Sequence, residues 1–250
     1  MRAIYVLIIL SLAIQVSHAQ ESFESQEELS KWLMFYYQNP EPEKIPGAVR
    51  YMSKSGMLDN KNAYSPIFGF LAGVIKENPN KAKIWAQELN SIKSDHYGVV
   101  ILGIWYAKVA QSKKVVYEIL DSNESLNKQF AYLRKGEPME ITEIPLEQGV
   151  WVLDSLWGQF FATGKKYPVA RITEALPWVD IKGDTNRLLT GGAANWSVIS
   201  NAVQHDRVFS ILSEMANETP DNTYLAKVIN DARDEREKRS NNQVNKDASR

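Results

Sequence analysis

The side chains best placed to do chemistry in this chain are Asp154, His96 and His205. Asp154 lies within Val150 to Phe161, where most neighbours are apolar. Ser155, Gly158 and Ala162 join it in a stripe of small residues at helical steps, the pattern that lets a second helix approach closely. A carboxylate there is either on the rim or buried beside a donor, since an unpaired buried charge is too costly to keep ionised. Arg171 and Arg187 are candidate donors. A catalytic acid or base is the functional alternative.

Ser197, Asn201 and His205 recur at four-residue steps, so they share one helical face, bordered by Trp196 and Ser200. With Asp154, the residues Trp196, Ser197, Asn201 and His205 make up a candidate ligand or partner face. The competing expectation is a solvated face, because amphipathicity would turn Leu189, Ile199 and Val203 towards the core.

Other chemistries find little support. The chain has no cysteine, so a catalytic zinc would need both histidines and a carboxylate. His96 and His205 are expected on distant helices, and no metal or other cofactor is expected. No Gly-x-Ser-x-Gly elbow is present, so a serine hydrolase would have to assemble from His96 or His205 and a distant serine. Ala162-Thr163-Gly164-Lys165-Lys166 departs from a phosphate loop: Gly158 is one residue too far away and Lys166 replaces the hydroxyl. A helix ending in glycine, with lysines facing its dipole, explains these residues better. Thr190-Gly191-Gly192 is read as a helix start or kink. The sequons at Asn123, Asn195 and Asn217 matter only in a host that glycosylates.

With no catalytic pattern assembled, the expected activity is non-enzymatic: a binding or interaction protein, of scaffold or immunity type, whose partner is another protein or a peptide. The alternative is an envelope hydrolase using acid–base residues such as Asp154 or His205. Seven tryptophans and eleven tyrosines are a generous aromatic supply; most of the tryptophans fall on apolar helical faces and are expected in the core, with one or two at hairpin ends as candidate anchors for a peptide or glycan.

The elements that position these residues are helical. Apolar residues recur at three- and four-residue steps from Leu29 to Tyr37, with Ser25 as N-cap and Glu28 three residues on. Prolines 40, 42 and 46 end that helix and start the next. Further helices open near Ser65-Pro66, Asn80, Asp95 and Ser112, and a long one runs from Pro145 to Thr163. Others follow from Pro168, Leu188, Asp206 and Pro220. The fold class is therefore all-α, with helical hairpins packed as an irregular bundle or a short α-solenoid-like array. The solenoid option rests on a weak repeat. Phe68-Gly69 to Pro79 and Trp157-Gly158 to Pro168 share one interval, and Trp196-Ser197 to Asp206 follows the same plan. Gly69 and Gly158 then occupy matching places in two copies.

At these same stretches the chain resembles a group of exported, all-helical bacterial proteins without an assigned activity. The likeness rests on Trp32 to Pro42, Gly69 to Pro79, Trp157-Gly158 with Phe161 to Gly164 and Pro168, and Trp196-Ser197 to His205. It implies export and a helical fold and nothing about chemistry.

The N-terminus agrees with export. Arg2, the apolar run Ile4 to Ile14 and the small residues Ser17 and Ala19 form a signal peptide over 1–19, cut between Ala19 and Gln20. The expected location is periplasmic or secreted. The run is shorter than the roughly 20 residues a membrane span needs, and no later segment reaches that length. Loss of Arg2 takes the formal charge from −1 to −2, which gives no electrostatic reason to expect nucleic acid. The expected organisation is N-terminal hairpins over 20–125, a linker or irregular segment over 126–144, C-terminal hairpins over 145–238 and a disordered tail over 239–250.

Overall fold

The computed structural model describes residues 23–248, so the expected leader and its cleavage point lie outside the described residues. Those residues form twelve α-helices joined by short 3-10 turns, and they contain no strand. The all-α expectation holds, as an irregular bundle.

Local signals place the early helices as expected. Helix α1 (Gln26–Phe35) is capped by the Ser25 hydroxyl, which accepts the N–H of Glu28 at 3.1 Å. The Glu28 carboxylate in turn accepts the N–H of Glu24 at 2.7 Å. The prolines then carry the chain through 3-10 turns at Tyr36–Gln38 and Pro42–Lys44 into α2 (Ile45–Lys54).

The centre of the bundle is α3 (Tyr64–Glu77), with α5 (Gly98–Ala107) against one side and α8 (Val150–Thr163) against another. The α3–α8 seam runs backbone to backbone. A Cβ on Gly69 would lie 2.1 Å from the Ser155 carbonyl oxygen, and one on Gly158 would lie 2.0 Å from that of Pro66. Only glycine fits at either place. The small stripe of α8 is thus an interface, as its spacing predicts. The repeat is corrected, however: Gly69 and Gly158 are not equivalent places in stacked copies but the two halves of one contact.

The hairpin pattern is also uneven. Helix α9 (Lys166–Thr173) folds back on α8, and α11 (Asp206–Glu218) folds back on α10 (Thr185–Gln204). After Asn78-Pro79, α4 (Lys81–Glu88) instead leaves α3 and packs on α5 and α6 (Ser112–Ser122). Two sides of α3 are already taken by α5 and α8, so α4 finds its apolar contact elsewhere.

The stretch 126–144 does not divide the chain. It holds the end of α7 (Glu124–Gln129), 3-10 turns at Ala131–Lys135 and Ile141–Glu143, and irregular chain between them. Leu126, Phe130, Leu133, Ile141 and Ile144 are buried in the same hydrophobic cluster as residues from both halves. The expected tail is likewise structured in part: α12 (Thr223–Ala248) continues well past 239. Extension of a docked helix adds residues without a new nucleation step, so even a polar sequence can follow.

Candidate functional site

Helix α10 carries most of the candidate residues, and its orientation is the reverse of the amphipathic expectation. Its buried face is made of Thr190, Gly191, Ala194, Ser197, Val198 and Ala202. Small residues allow the close approach seen at Gly191, where a Cβ would lie 2.6 Å from the Trp178 carbonyl carbon. Gly191 therefore marks a contact inside a continuous helix, not a start or a kink. Buried hydroxyls and amides there bond back to their own helix: Thr190 to the Asn186 carbonyl at 2.8 Å, Ser197 to that of Ala194 at 3.2 Å, and Asn201 to that of Ser197 at 2.9 Å. Thr190 and Ser197 are buried with their hydroxyls bonded in this way, so Ser197 faces the interior, whereas Asn201 is half-buried and uses one N–H.

The larger side chains point out instead. Leu188 is exposed to 43%, Leu189 to 62% and Trp196 to 73%. Ile199 and Val203 are half-buried on the same side. Of these, Trp196, Ile199 and Val203 line a cleft of about 630 Å³ between α10 and α12, with Gly192, Tyr224 and Lys227 among its walls. The Tyr224 hydroxyl donates to Asp180 at 2.8 Å and closes one end. Along α12, Lys227 and Glu235 belong to the cleft wall, Lys227 pairs with Asp231 at 2.7 Å, and Arg239 lies at the far end.

His205 ends α10 and lies on the opposite side from Trp196, because nine residues turn a helix by about 180°. It is 1% exposed. The rings of Phe35, Phe161 and Phe160 surround it at centroid distances of 4.7, 5.3 and 6.2 Å. Gln38 donates to the Tyr37 hydroxyl, which sits 3.3 Å from His205 Nδ1. The other ring nitrogen, Nε2, is buried and has no hydrogen-bond partner among the described residues. Burial pushes the imidazole pKa down to about 4, with Asp206 opposing weakly. His205 is a neutral core residue that ties the N-terminal turn to the C-terminal helices.

Asp154 is half-buried on the flank of α8 and makes no hydrogen bond or ion pair among the described residues. Burial raises its carboxyl pKa to about 6. The expected arginine partners are engaged elsewhere. Arg171 pairs with Glu174 and donates to the Ile144 carbonyl, while Arg187 pairs with Glu147 at 2.8 Å and stacks over Trp178. Phe161, the α8 residue nearest His205, is two helical turns beyond Asp154, or about 10 Å along the axis. No acid–base pair is assembled between the two.

One constellation escaped the sequence pattern. Ser53 Oγ lies 2.9 Å from His96 Nδ1, and His96 Nε2 lies 2.8 Å from Asp59 Oδ1. The residue types are those of an acyl-transfer triad. Their placement is the inverse of what such a triad needs. Ser53 is 4% exposed and inside α2, whereas the Asp59 side chain is at the surface with 60% exposure. No acyl group can reach the hydroxyl. The arrangement is a strut that satisfies a buried histidine and joins α2 to the turn before α5. The hydrogen bond from His96 holds the Asp59 carboxyl below its ordinary value.

Among the described residues no group of three His, Asp or Glu side chains converges on a metal position. No described helix is long and apolar enough to cross a membrane. No family model matches the chain, and no curated protein or solved structure matches it either.

Proposed function

We propose that the chain is an exported, non-enzymatic binding protein of the bacterial envelope, periplasmic or secreted, which holds an amphipathic helix of another protein in the cleft between α10 and α12. The observation that carries this reading is the outward apolar face of α10. A helix that turns its small and polar residues inward and leaves Leu189 and Trp196 in solvent exposes surface that a self-sufficient fold would bury. A helix suits the cleft for three reasons. The floor from Gly192 to Val203 is about 16 Å long, three helical turns. Gly192 has no atom within 4 Å of a Cβ position, so another backbone can come close. The α12 wall carries charges of both signs, Lys227, Glu235 and Arg239, which suits the charged flanks of an amphipathic helix.

The test is site-specific photocrosslinking in the native host, with the probe at Trp196 and a control probe at Met139, an exposed apolar residue between the Ala131–Lys135 and Ile141–Glu143 turns. A specific adduct at 196, mapped by mass spectrometry to a helix with an apolar stripe and absent from a Gly192→Trp protein, supports the proposal. Equal adducts from both positions, or an adduct on a non-helical segment, overturn it. Export has its own measurement: the intact mass of the native protein should begin at Gln20, and retained Met1 removes that part of the reading.

A further inference from the structure

A second cavity, of about 430 Å³, opens between α4, α6 and the start of α7, in a different part of the chain from the α10–α12 cleft. Its floor is apolar and firm. Ala86, Val115 and Leu126 are buried, and Ile92 and Ile119 complete the surface. Above that floor stand side-chain amides. Gln87 and Asn90 lie three residues apart on one side, and their carboxamides are engaged by no other described residue. Asn123 stands among the α6–α7 residues of the lining; its carbonyl accepts the N–H of Leu126 at 3.0 Å, which leaves its NH2 group to donate. At the mouth, Lys83 and Glu118 neutralise one another at 3.1 Å.

From this chemistry we propose that the cavity binds an extended peptide segment, with one aliphatic side chain on the apolar floor and the main chain held by Gln87, Asn90 and Asn123. A carboxamide offers one acceptor and two donors, which is the complement of a peptide C=O and N–H. The paired mouth charges favour a neutral ligand, so an internal segment fits better than a free terminus. A sugar lacks the aromatic face it stacks on: the ring in the lining is Tyr97, which is 5% exposed and whose hydroxyl already donates to the Ala86 carbonyl at 2.5 Å. The cavity size is in the ordinary range for small-ligand sites.

N-acetyl-leucine-N-methylamide is the minimal probe, titrated into the full mature chain and followed by amide chemical shifts. A ligand this small binds in the millimolar range at best. Saturable shifts clustered on α4 and the α6–α7 junction are expected. A Gln87→Ala/Asn90→Ala protein should bind about tenfold more weakly, the loss typical of removing hydrogen bonds to a bound main chain. Because both residues are exposed, its melting temperature should match the parent. Absence of saturable shifts, an equal response to methyl glucoside, or tighter binding of free leucine than of the capped form would each overturn the proposal.

Discussion

Helices α8 and α10 carry the same device, a row of small residues at helical steps, and use it to opposite ends. In α8 the row lies against α3, and its large neighbours Leu153, Leu156 and Phe160 are also buried, so the helix is enclosed nearly all round. In α10 the row lies against the Trp178–Val179 turn and α8, and the large residues are left outside. A small stripe therefore reports where another backbone comes close. It does not report what the rest of the helix faces. Where the remainder is apolar and exposed, the helix has surface to offer a partner.

The strongest way to break this comparison is at the closed seam. Gly158→Ala should destabilise the protein by about 3 kcal/mol or more in urea unfolding, because the methyl meets backbone atoms that cannot yield. Helix propensity offsets only a fraction of this, and Gly158→Leu should be worse. An alanine variant as stable as the parent would show that α3 and α8 separate at little cost.

The next effect concerns the flank of α8 and is read against pH. Asp154 holds its proton more tightly when folded, about 6 against 3.8, so its stabilising contribution is complete below pH 3.8 and lost as pH rises through 6. Asp154→Asn should then raise stability at pH 7 by up to about 3 kcal/mol, with the gain vanishing towards pH 4. His205 runs the other way: its folded value near 4 lies below 6.5, so its contribution is full above pH 6.5 and fades as pH falls to 4. A stability gain for Asp154→Asn that is the same at pH 4 and 7 would show that the carboxylate is solvated.

On the open side of α10 the signs change. Gly192→Ala should stabilise by roughly 0.5–1 kcal/mol, since it improves helix propensity and meets nothing. A loss there would mean that the outer face is already covered in the folded chain. Smallest of all, Leu189→Ser and Trp196→Ala should each stay within about 0.5 kcal/mol of the parent by thermal melting, as exposed positions do. A larger loss would place them in the core after all.

Helix positions, the all-α class and the α8 stripe were legible in the sequence because each depends on residues a few steps apart. Spacing alone could not say which face of α10 is buried. Leu189, Ile199 and Val203 form a proper apolar stripe, and only the position of the Trp178 turn reveals that the small residues won the interior. The Ser53–His96–Asp59 strut was equally hidden, since its hydrogen bonds join residues 43 and 37 positions apart. Asp154 was legible as an anomaly. Its lack of an arginine was not, because Arg171 and Arg187 had nearer carboxylates to choose.

The turn at Tyr36–Gln38 has a consequence for the order in which the molecule comes together. Tyr37 packs against Gly164, whose left-handed backbone (φ 62°) leaves no room for a side chain beside the ring, and it reaches His205 across 168 residues. The start of the chain thus waits for residues near its end, and α3 waits for α8. Such long loops close slowly. The contacts of the Tyr36–Gln38 turn with Gly164 and His205, and of α3 with α8, can therefore form only once residues 150–205 are present, which sets them late in the order of assembly.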